Sequence, residues 1–80
     1  MTTATLNLDA MSADELEAVR DAYRAMGGLL AEEHPYAEFA CRKLLAIQNR
    51  ERGDERSALV YEIACDHLYY RRIVPAGLAW

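Results

Sequence analysis

The sequence lacks the residue patterns that mark most small metal-binding and catalytic proteins. Its two cysteines and two histidines form no C-x-x-C, H-E-x-x-H or E-x-x-H spacing. Gly27 and Gly28 are followed by Leu29 and not by the lysine of a phosphate-binding loop. We therefore expect no metal, no cofactor and no enzymatic activity.

Long apolar runs are missing as well. No window approaches the roughly 20 apolar residues of a membrane span. The first eleven residues, Met1–Met11, have neither the basic start nor the apolar run of a signal peptide. These absences predict a cytoplasmic protein with no membrane partner.

Length and composition favour one small folded domain. At 80 residues, with 52% hydrophobic residues, the chain is near the lower size at which a single core suffices. The net charge of −4 is uneven, because residues 1–40 hold eight acids and two bases while residues 41–80 hold five acids and seven bases. Net acidity weighs against nucleic-acid binding. The uneven charge indicates either solvated helix faces or a docking surface for a charged partner.

The strongest architectural signal is a hinge between two helical patterns. Gly53 can adopt the left-handed conformation that ends a helix, and Asp54 can accept a hydrogen bond from the first amides of the next helix. Arg50 and Arg52 place positive charge at the negative end of the preceding helix dipole. We therefore expect an antiparallel hairpin of helices near residues 35–52 and 55–72.

The two arms of this hairpin differ in amphipathicity. Apolar residues of the first arm fall on one face, with Asn49 opposite: Tyr36, Ala37, Ala40, Cys41, Leu44, Leu45 and Ile47. Those of the second arm nearly circle the helix and leave a narrow acidic stripe of Glu55, Glu62 and Asp66. An apolar circumference is typical of a helix that is central in its fold or buried in an assembly. The pattern therefore predicts that the third helix is the most buried.

A first helix is marked at its start by two local motifs. Ser12 and Glu15 have the spacing of a capping box, and Met11 and Leu16 have that of a hydrophobic staple. The apolar stripe that follows predicts one helix over residues 13–33.

The end of this first helix is less regular. Gly27 and Gly28 interrupt the helix and leave a kink or a break open, since each costs about 1 kcal/mol relative to alanine. His34 and Pro35 then end it, because a residue before proline is pushed out of the helical region and proline suits the start of a new helix.

Together these signals predict an all-α fold, a small antiparallel three-helix bundle. A loose N-terminal arm (residues 1–11) precedes the bundle (residues 13–72), and an apolar tail (residues 73–80) follows it. Pro75 and Gly77 prevent further helix in the tail. We expect Trp80 to fold back over the bundle, with an anchor for a partner as the alternative.

The cysteines support a second function class. Cys41 and Cys65 each lie twelve positions from Gly53, so the hairpin places them at similar height. Helix axes pack about 8 to 10 Å apart whereas a disulfide needs Cα atoms within roughly 7 Å. We expect two buried free thiols and leave their mutual contact open. A small metal or thiol protein, with zinc held by Cys41, Cys65 and His67, remains the alternative.

Two other functions, acid catalysis and DNA binding, have less support in the sequence than these. Glu62 and Asp66 could form an acid pair, but so short a chain offers little cleft to desolvate them. Arg50, Arg52 and Arg56 flank the hinge and could serve a DNA-binding regulator, yet acidic residues lie between them.

The leading hypothesis is a non-enzymatic protein-interaction module, an adaptor, regulator or inhibitor of a larger protein complex. Its candidate contact residues are of the types enriched at interfaces: Tyr69, Tyr70, Arg71, Arg72 and Trp80. A secondary charged surface comprises Asp14, Glu17, Asp21, Arg50, Arg52 and Arg56. By size and charge alone, the chain would suit a phage-type, anti-CRISPR-like inhibitor of a host defence complex. A homodimer is also left open.

Overall fold

Helices account for most of the described chain. The computed structural model describes residues 6–27 and 34–80. Helix α1 spans Ala13–Gly27, α2 spans Pro35–Glu51 and α3 spans Glu55–Leu68. A 3-10 turn, Leu8–Ala10, precedes α1, and a π-helical turn, Tyr69–Ile73, continues α3. The described residues contain no strand, so the all-α bundle predicted from the sequence is confirmed.

The predicted helix boundaries follow local hydrogen bonds. The amide of Ser12 donates to the Glu15 carboxylate at 3.1 Å, and the Glu15 amide donates to the Ser12 hydroxyl at 3.3 Å, which completes the capping box. Gly53 has φ of 82°, and the Asp54 carboxylate accepts from the Ser57 amide at 3.1 Å. Both the first helix start and the hinge are confirmed.

The start of α2 uses a histidine cap. Pro35 occupies the first turn, and Nδ1 of His34 accepts a hydrogen bond from the Tyr36 amide at 3.2 Å. The His34 ring also stacks on Tyr23 of α1 with centroids 4.4 Å apart. The expected course of the first helix from residue 28 to residue 33, with its kink or break, lies outside the described residues.

The most buried helix is α2, and the prediction that the third helix would be most buried is wrong. Helix α2 packs against both α1 and α3 and buries seven residues: Tyr36, Ala37, Phe39, Ala40, Leu44, Ala46 and Asn49. Helix α3 buries only Ala58 and Cys65. Helix α1 covers α2 rather than α3. The apolar residues on one side of α3 therefore contact α2, and those on its other side are exposed to solvent.

Asn49 shows the same effect at a single position. The one-face pattern places it toward solvent, but its side chain is buried. The amide donates to the Leu45 carbonyl at 2.7 Å, and its oxygen accepts from Arg52 at 2.6 Å. A helix covered on two sides buries polar positions, and these two bonds offset the cost of doing so.

The N-terminal segment is docked over residues 6–11, which corrects the expectation of a loose arm there. Leu8 is fully buried in the core beside Leu16, and Met11 packs against the same cluster. Asp9 forms an ion pair with Lys43 of α2 at 2.8 Å. Residues 1–5 lie outside the described residues.

The tail folds back over the bundle, as predicted. The Trp80 ring lies 5.0 Å from Phe39 and 4.8 Å from Tyr69, between ring centroids. The Tyr36 hydroxyl donates to the Leu78 carbonyl at 2.6 Å. Since rings from α2 and from the end of α3 both contact it, the tail joins the two arms of the hairpin.

The end of the third helix differs from the expected α-helix to residue 72. Beyond Leu68 the backbone widens into the π-helical turn, in which the Val74 amide donates to the Tyr69 carbonyl at 2.8 Å. A π-turn accommodates one additional residue in a helix. The wider turn places the Ile73 side chain toward the core, where it is fully buried.

Candidate interaction surface

The outer side of α3 and of the turn that follows it carries a row of exposed apolar side chains. We call this the α3 ridge and define it as Leu59, Val60, Ile63, Tyr70 and Val74. Their exposed fractions are 55%, 59%, 49%, 71% and 43%, respectively. Residues three, four and seven apart share a helix face, so Leu59, Val60, Ile63 and Tyr70 form one continuous strip, and Val74 follows at the end of the π-helical turn.

The position of the ridge follows from what α3 packs against. Ala58 and Cys65 face α2 and are buried, whereas the ridge residues lie on the other side of the helix. The buried side of α3 thus consists mainly of small residues, with Leu68 partly buried against the core, whereas Leu59, Val60 and Ile63 lie outside. The described residues supply no third layer over the ridge.

One flank of the ridge is acidic. A cavity of about 220 Å³ there is lined by Asp9, Phe39, Asp66, Tyr69, Tyr70 and Trp80. Asp9 is neutralised by its ion pair with Lys43. Among the ion pairs of the described chain none involves Asp66, so its carboxylate is available to a partner.

The opposite flank is basic. A cavity of about 340 Å³ between α2 and α3 is lined by Arg42, Ala64, His67, Leu68, Arg71 and Arg72. Arg72 donates to the Glu38 carboxylate at 2.5 Å. Arg42 and Arg71 have no acidic partner within residues 6–27 and 34–80. Positive charge therefore lies beside the ridge, opposite Asp66.

The five predicted contact residues are brought to one end of the molecule, but they differ in exposure. Tyr69 and Trp80 are half-buried and pack on each other, whereas Tyr70, Arg71 and Arg72 are exposed. The Tyr69 and Tyr70 rings meet edge to face at 5.1 Å. Tyr70, Arg71 and Arg72 are thus the accessible members of the five.

The secondary charged surface divides into two separate groups. On α1, Arg20 lies 3.5 Å from the Glu17 carboxylate and 3.2 Å from the Asp21 carboxylate. At the hinge, Arg50 bridges to Glu62 at 2.6 Å and to Glu55 at 3.3 Å. All six predicted residues are exposed, Asp14, Glu17, Asp21, Arg50, Arg52 and Arg56.

The Arg50 contacts alter the ionisation of their partner. The hydrogen bond from Arg50 lowers the pKa of Glu62 below its usual value, and burial opposes this only in part. Positive charge at the hinge is therefore balanced locally by ionised carboxylates.

The thiols are both free, as predicted, but they differ in burial. Cys65 is buried with its sulfur 3.9 Å from the Phe39 carbonyl oxygen. Burial raises the pKa of the Cys65 thiol to about 11. Cys41 is half-buried rather than buried. Within the described ranges, no three histidine, cysteine or acidic side chains group closely enough to hold a metal ion.

Leu59, Val60 and Ile63 were not among the predicted contact residues, because their apolar pattern fits a helix central in the fold as well as one buried in an assembly. No helix in the described parts of the chain is both long enough and apolar enough to cross a bilayer.

Comparison with protein-family models, with curated proteins and with solved structures finds no match to this chain.

Proposed function

We propose that this chain is a non-enzymatic protein-interaction module whose contact surface is the α3 ridge. The observation that carries the proposal is the exposure of Leu59, Val60 and Ile63, each about half accessible to solvent on one helix face. Moving such a side chain from full exposure to full burial stabilises by about 1.5–3 kcal/mol. Since each of the three is already about half buried, a partner that covers this face gains roughly half of that value for each residue.

The ridge also has the chemistry of a contact surface. Contiguous apolar patches on small proteins mark interaction sites more often than scattered single residues do. Tyr70 adds an aromatic ring at one end of the ridge, with 71% of its surface exposed, and Arg71 adds a cation beside it. Tyrosine and arginine are enriched among the residues that dominate binding energy.

The described contacts favour this function over the two alternatives. Arg50, central to a DNA-binding regulator, is engaged by Glu55 and Glu62. Cys65, central to a thiol protein, has a pKa raised to about 11, so its thiol stays protonated at neutral pH. Two free thiols accord with a reducing cytoplasm. We therefore propose a cytoplasmic adaptor, regulator or inhibitor of a larger protein complex.

Site-specific photo-crosslinking in the native cell tests this function. A photoreactive amino acid replaces Val60 in one variant and Ala22, an exposed residue of α1, in a matched control. The proposal predicts a discrete protein adduct at position 60 that is absent at position 22. The adduct should be lost when Ile63→Asp is added and kept when Ala25→Asp is added, because Ala25 is exposed on α1.

Either of two results would overturn the function. The first is an absence of any adduct at position 60 in cells that contain the folded protein. The second is an adduct pattern shared by positions 60 and 22, which would indicate unspecific contact. An adduct with a second copy of the chain and an adduct with another protein both support a contact surface on the ridge.

A further inference from the structure

We infer that the α3 ridge is covered by a second copy of this chain, with the two α3 helices parallel about a two-fold axis. This inference rests on the proposed function, because it takes the ridge to be a contact surface and names the occupant.

The spacing of exposed residues along α3 fits a second helix of the same kind. Up to the π-helical turn, the seam follows alternating steps of four and three residues, the repeat of a coiled coil: Arg56, Val60, Ile63, His67 and Tyr70. All five are exposed, and Leu59 lies beside them. In a two-fold dimer each surface meets its own copy, so Ile63 near the middle of the seam would pack against the partner's equivalent residue.

The charges on the two flanks specify the relative direction of the helices. Asp66 lines the acidic cavity and Arg71 lines the basic cavity, on opposite sides of the seam. In a parallel pair, a flanking residue meets the residue five positions later on the opposite flank of the partner. Asp66 therefore meets Arg71 of the second copy. An antiparallel pair would instead bring like flanks together, so that acidic side chains face acidic ones and basic side chains face basic ones.

The same charges favour a second copy over a partner of one charge sign. A uniformly acidic partner is attracted by Arg42 and Arg71 but repelled by Asp66. A uniformly basic partner is attracted by Asp66 but repelled by the two arginines. A second copy presents a basic flank to the acidic one and an acidic flank to the basic one. Asp66 and Arg71, which form no ion pair within residues 6–27 and 34–80, then each gain a partner of opposite charge.

The size of the ridge indicates a reversible dimer. From residue 59 to residue 74 it is about 22 Å long at 1.5 Å per residue, and a helix is about 10 Å wide. This footprint is below the roughly 800 Å² per partner of a standard stable interface. Association should therefore be weak and should depend on protein concentration.

Sedimentation equilibrium of the purified full chain tests the occupant. The apparent mass should rise with concentration from one chain toward two. Ile63→Asp should abolish the rise, because it places a carboxylate at the centre of the seam. Ala25→Asp on α1 adds the same charge away from the seam and should leave the association unchanged. Circular dichroism of each variant confirms that it remains helical.

A charge exchange tests the parallel arrangement. Asp66→Arg and Arg71→Asp alone should each weaken association about tenfold, which corresponds to about 1.4 kcal/mol. The double exchange should restore most of the loss, since the opposite charges again meet across the seam. Failure of the double variant to recover would overturn the parallel pairing.

The remaining outcomes separate this inference from the proposed function. A chain that stays monomeric at every concentration, with a Val60 adduct to a different protein, overturns the second copy and leaves the function standing. A monomer with no adduct overturns both. A dimer that survives Ile63→Asp overturns the placement of the interface on the ridge.

Discussion

The Tyr69 hydroxyl donates a 2.5 Å hydrogen bond to the main-chain oxygen of Trp80, eleven residues later in the chain. The two rings also lie 4.8 Å apart between centroids. The bond thus fixes the tail against the π-helical turn at the end of α3. Because the chain contains a single tryptophan, its fluorescence reports this contact directly.

Tyr69→Phe removes the hydrogen bond and keeps the ring. We expect the free energy of unfolding to fall by about 1 kcal/mol, a typical net value for one bond. Trp80 emission should shift to the red as the indole becomes more accessible. Denaturant titration and emission spectra measure the two effects. Tyr70→Phe is the matched control, since the Tyr70 hydroxyl has no partner among the described residues; an equal loss in both variants would contradict a specific Tyr69 bond.

Leu8→Ala tests whether the N-terminal segment belongs to the core. Leu8 is fully buried, so we expect its truncation to lower the free energy of unfolding by about 2–5 kcal/mol. Leu6→Ala removes the same atoms from a side chain that is 43% exposed, and a change within about 0.5 kcal/mol is expected. Thermal unfolding of the two variants compares them. Similar melting temperatures of Leu8→Ala and Leu6→Ala would mean that the N-terminal segment does not contribute to the stability of the core.

The His34 cap makes the stability of the bundle depend on pH. Burial, and to a lesser extent the positive charge of Arg72, lowers the pKa of His34 below its usual 6.5. The unfolded chain then binds this proton at higher pH than the folded chain. The contribution of His34 is therefore fully present above about pH 6.5 and is lost as pH falls through the lower folded pKa.

His34→Asn supplies the comparison for this pH effect. Asparagine can also cap a helix but does not titrate, so the loss of stability between about pH 7.5 and 5 should be smaller in the variant. Melting temperatures measured at several pH values for both proteins give the difference. Parallel curves would exclude His34 as the source.

The thiols should react at very different rates. Burial holds the pKa of Cys65 at about 11, so little thiolate forms near pH 8 and the sulfur is shielded. Cys41 is half-buried and should react first with a chromogenic disulfide reagent. We expect one thiol to react under native conditions and the second only in denaturant. In Cys41→Ser the native reaction should disappear; rapid labelling of that variant would show that Cys65 is accessible.

The features that the sequence predicted well depend on residues near one another in the chain. A capping box requires only Ser12 and Glu15, and the hinge requires only the left-handed Gly53 and the acceptor Asp54. Such boundaries are set by backbone hydrogen bonds within one turn. They are therefore the same whether or not the helices later pack as expected.

Burial was predicted less well because it depends on which neighbour each helix receives. Helix α3 has the more apolar circumference, yet α2 receives both neighbours and buries Phe39 and Asn49. A periodic pattern identifies a face that is able to pack, but it does not state whether a partner is available within the same chain. The three short helices of the described residues cannot cover every apolar side.

The candidate surface was predicted in part for the same reason. Tyr70 and Arg71 were expected to contact a partner, and they lie at one end of the exposed ridge. The apolar pattern of Leu59, Val60 and Ile63 fits both a helix that is central in the fold and one that is buried in an assembly. Only the position of α1 against α2 distinguishes the two interpretations.

The π-helical turn lets the tail tolerate one residue fewer between α3 and its docking site. Without one of the exposed residues 70–72, the bond from the Val74 amide to the Tyr69 carbonyl would span four residues, as in a regular α-helix. Ile73 would then stay in the core and Trp80 would still face Phe39. A regular α-helix that kept all the residues of this turn would instead rotate the tail by about 100° around the helix axis. The additional residue of the turn is therefore separable from the packing of the tail.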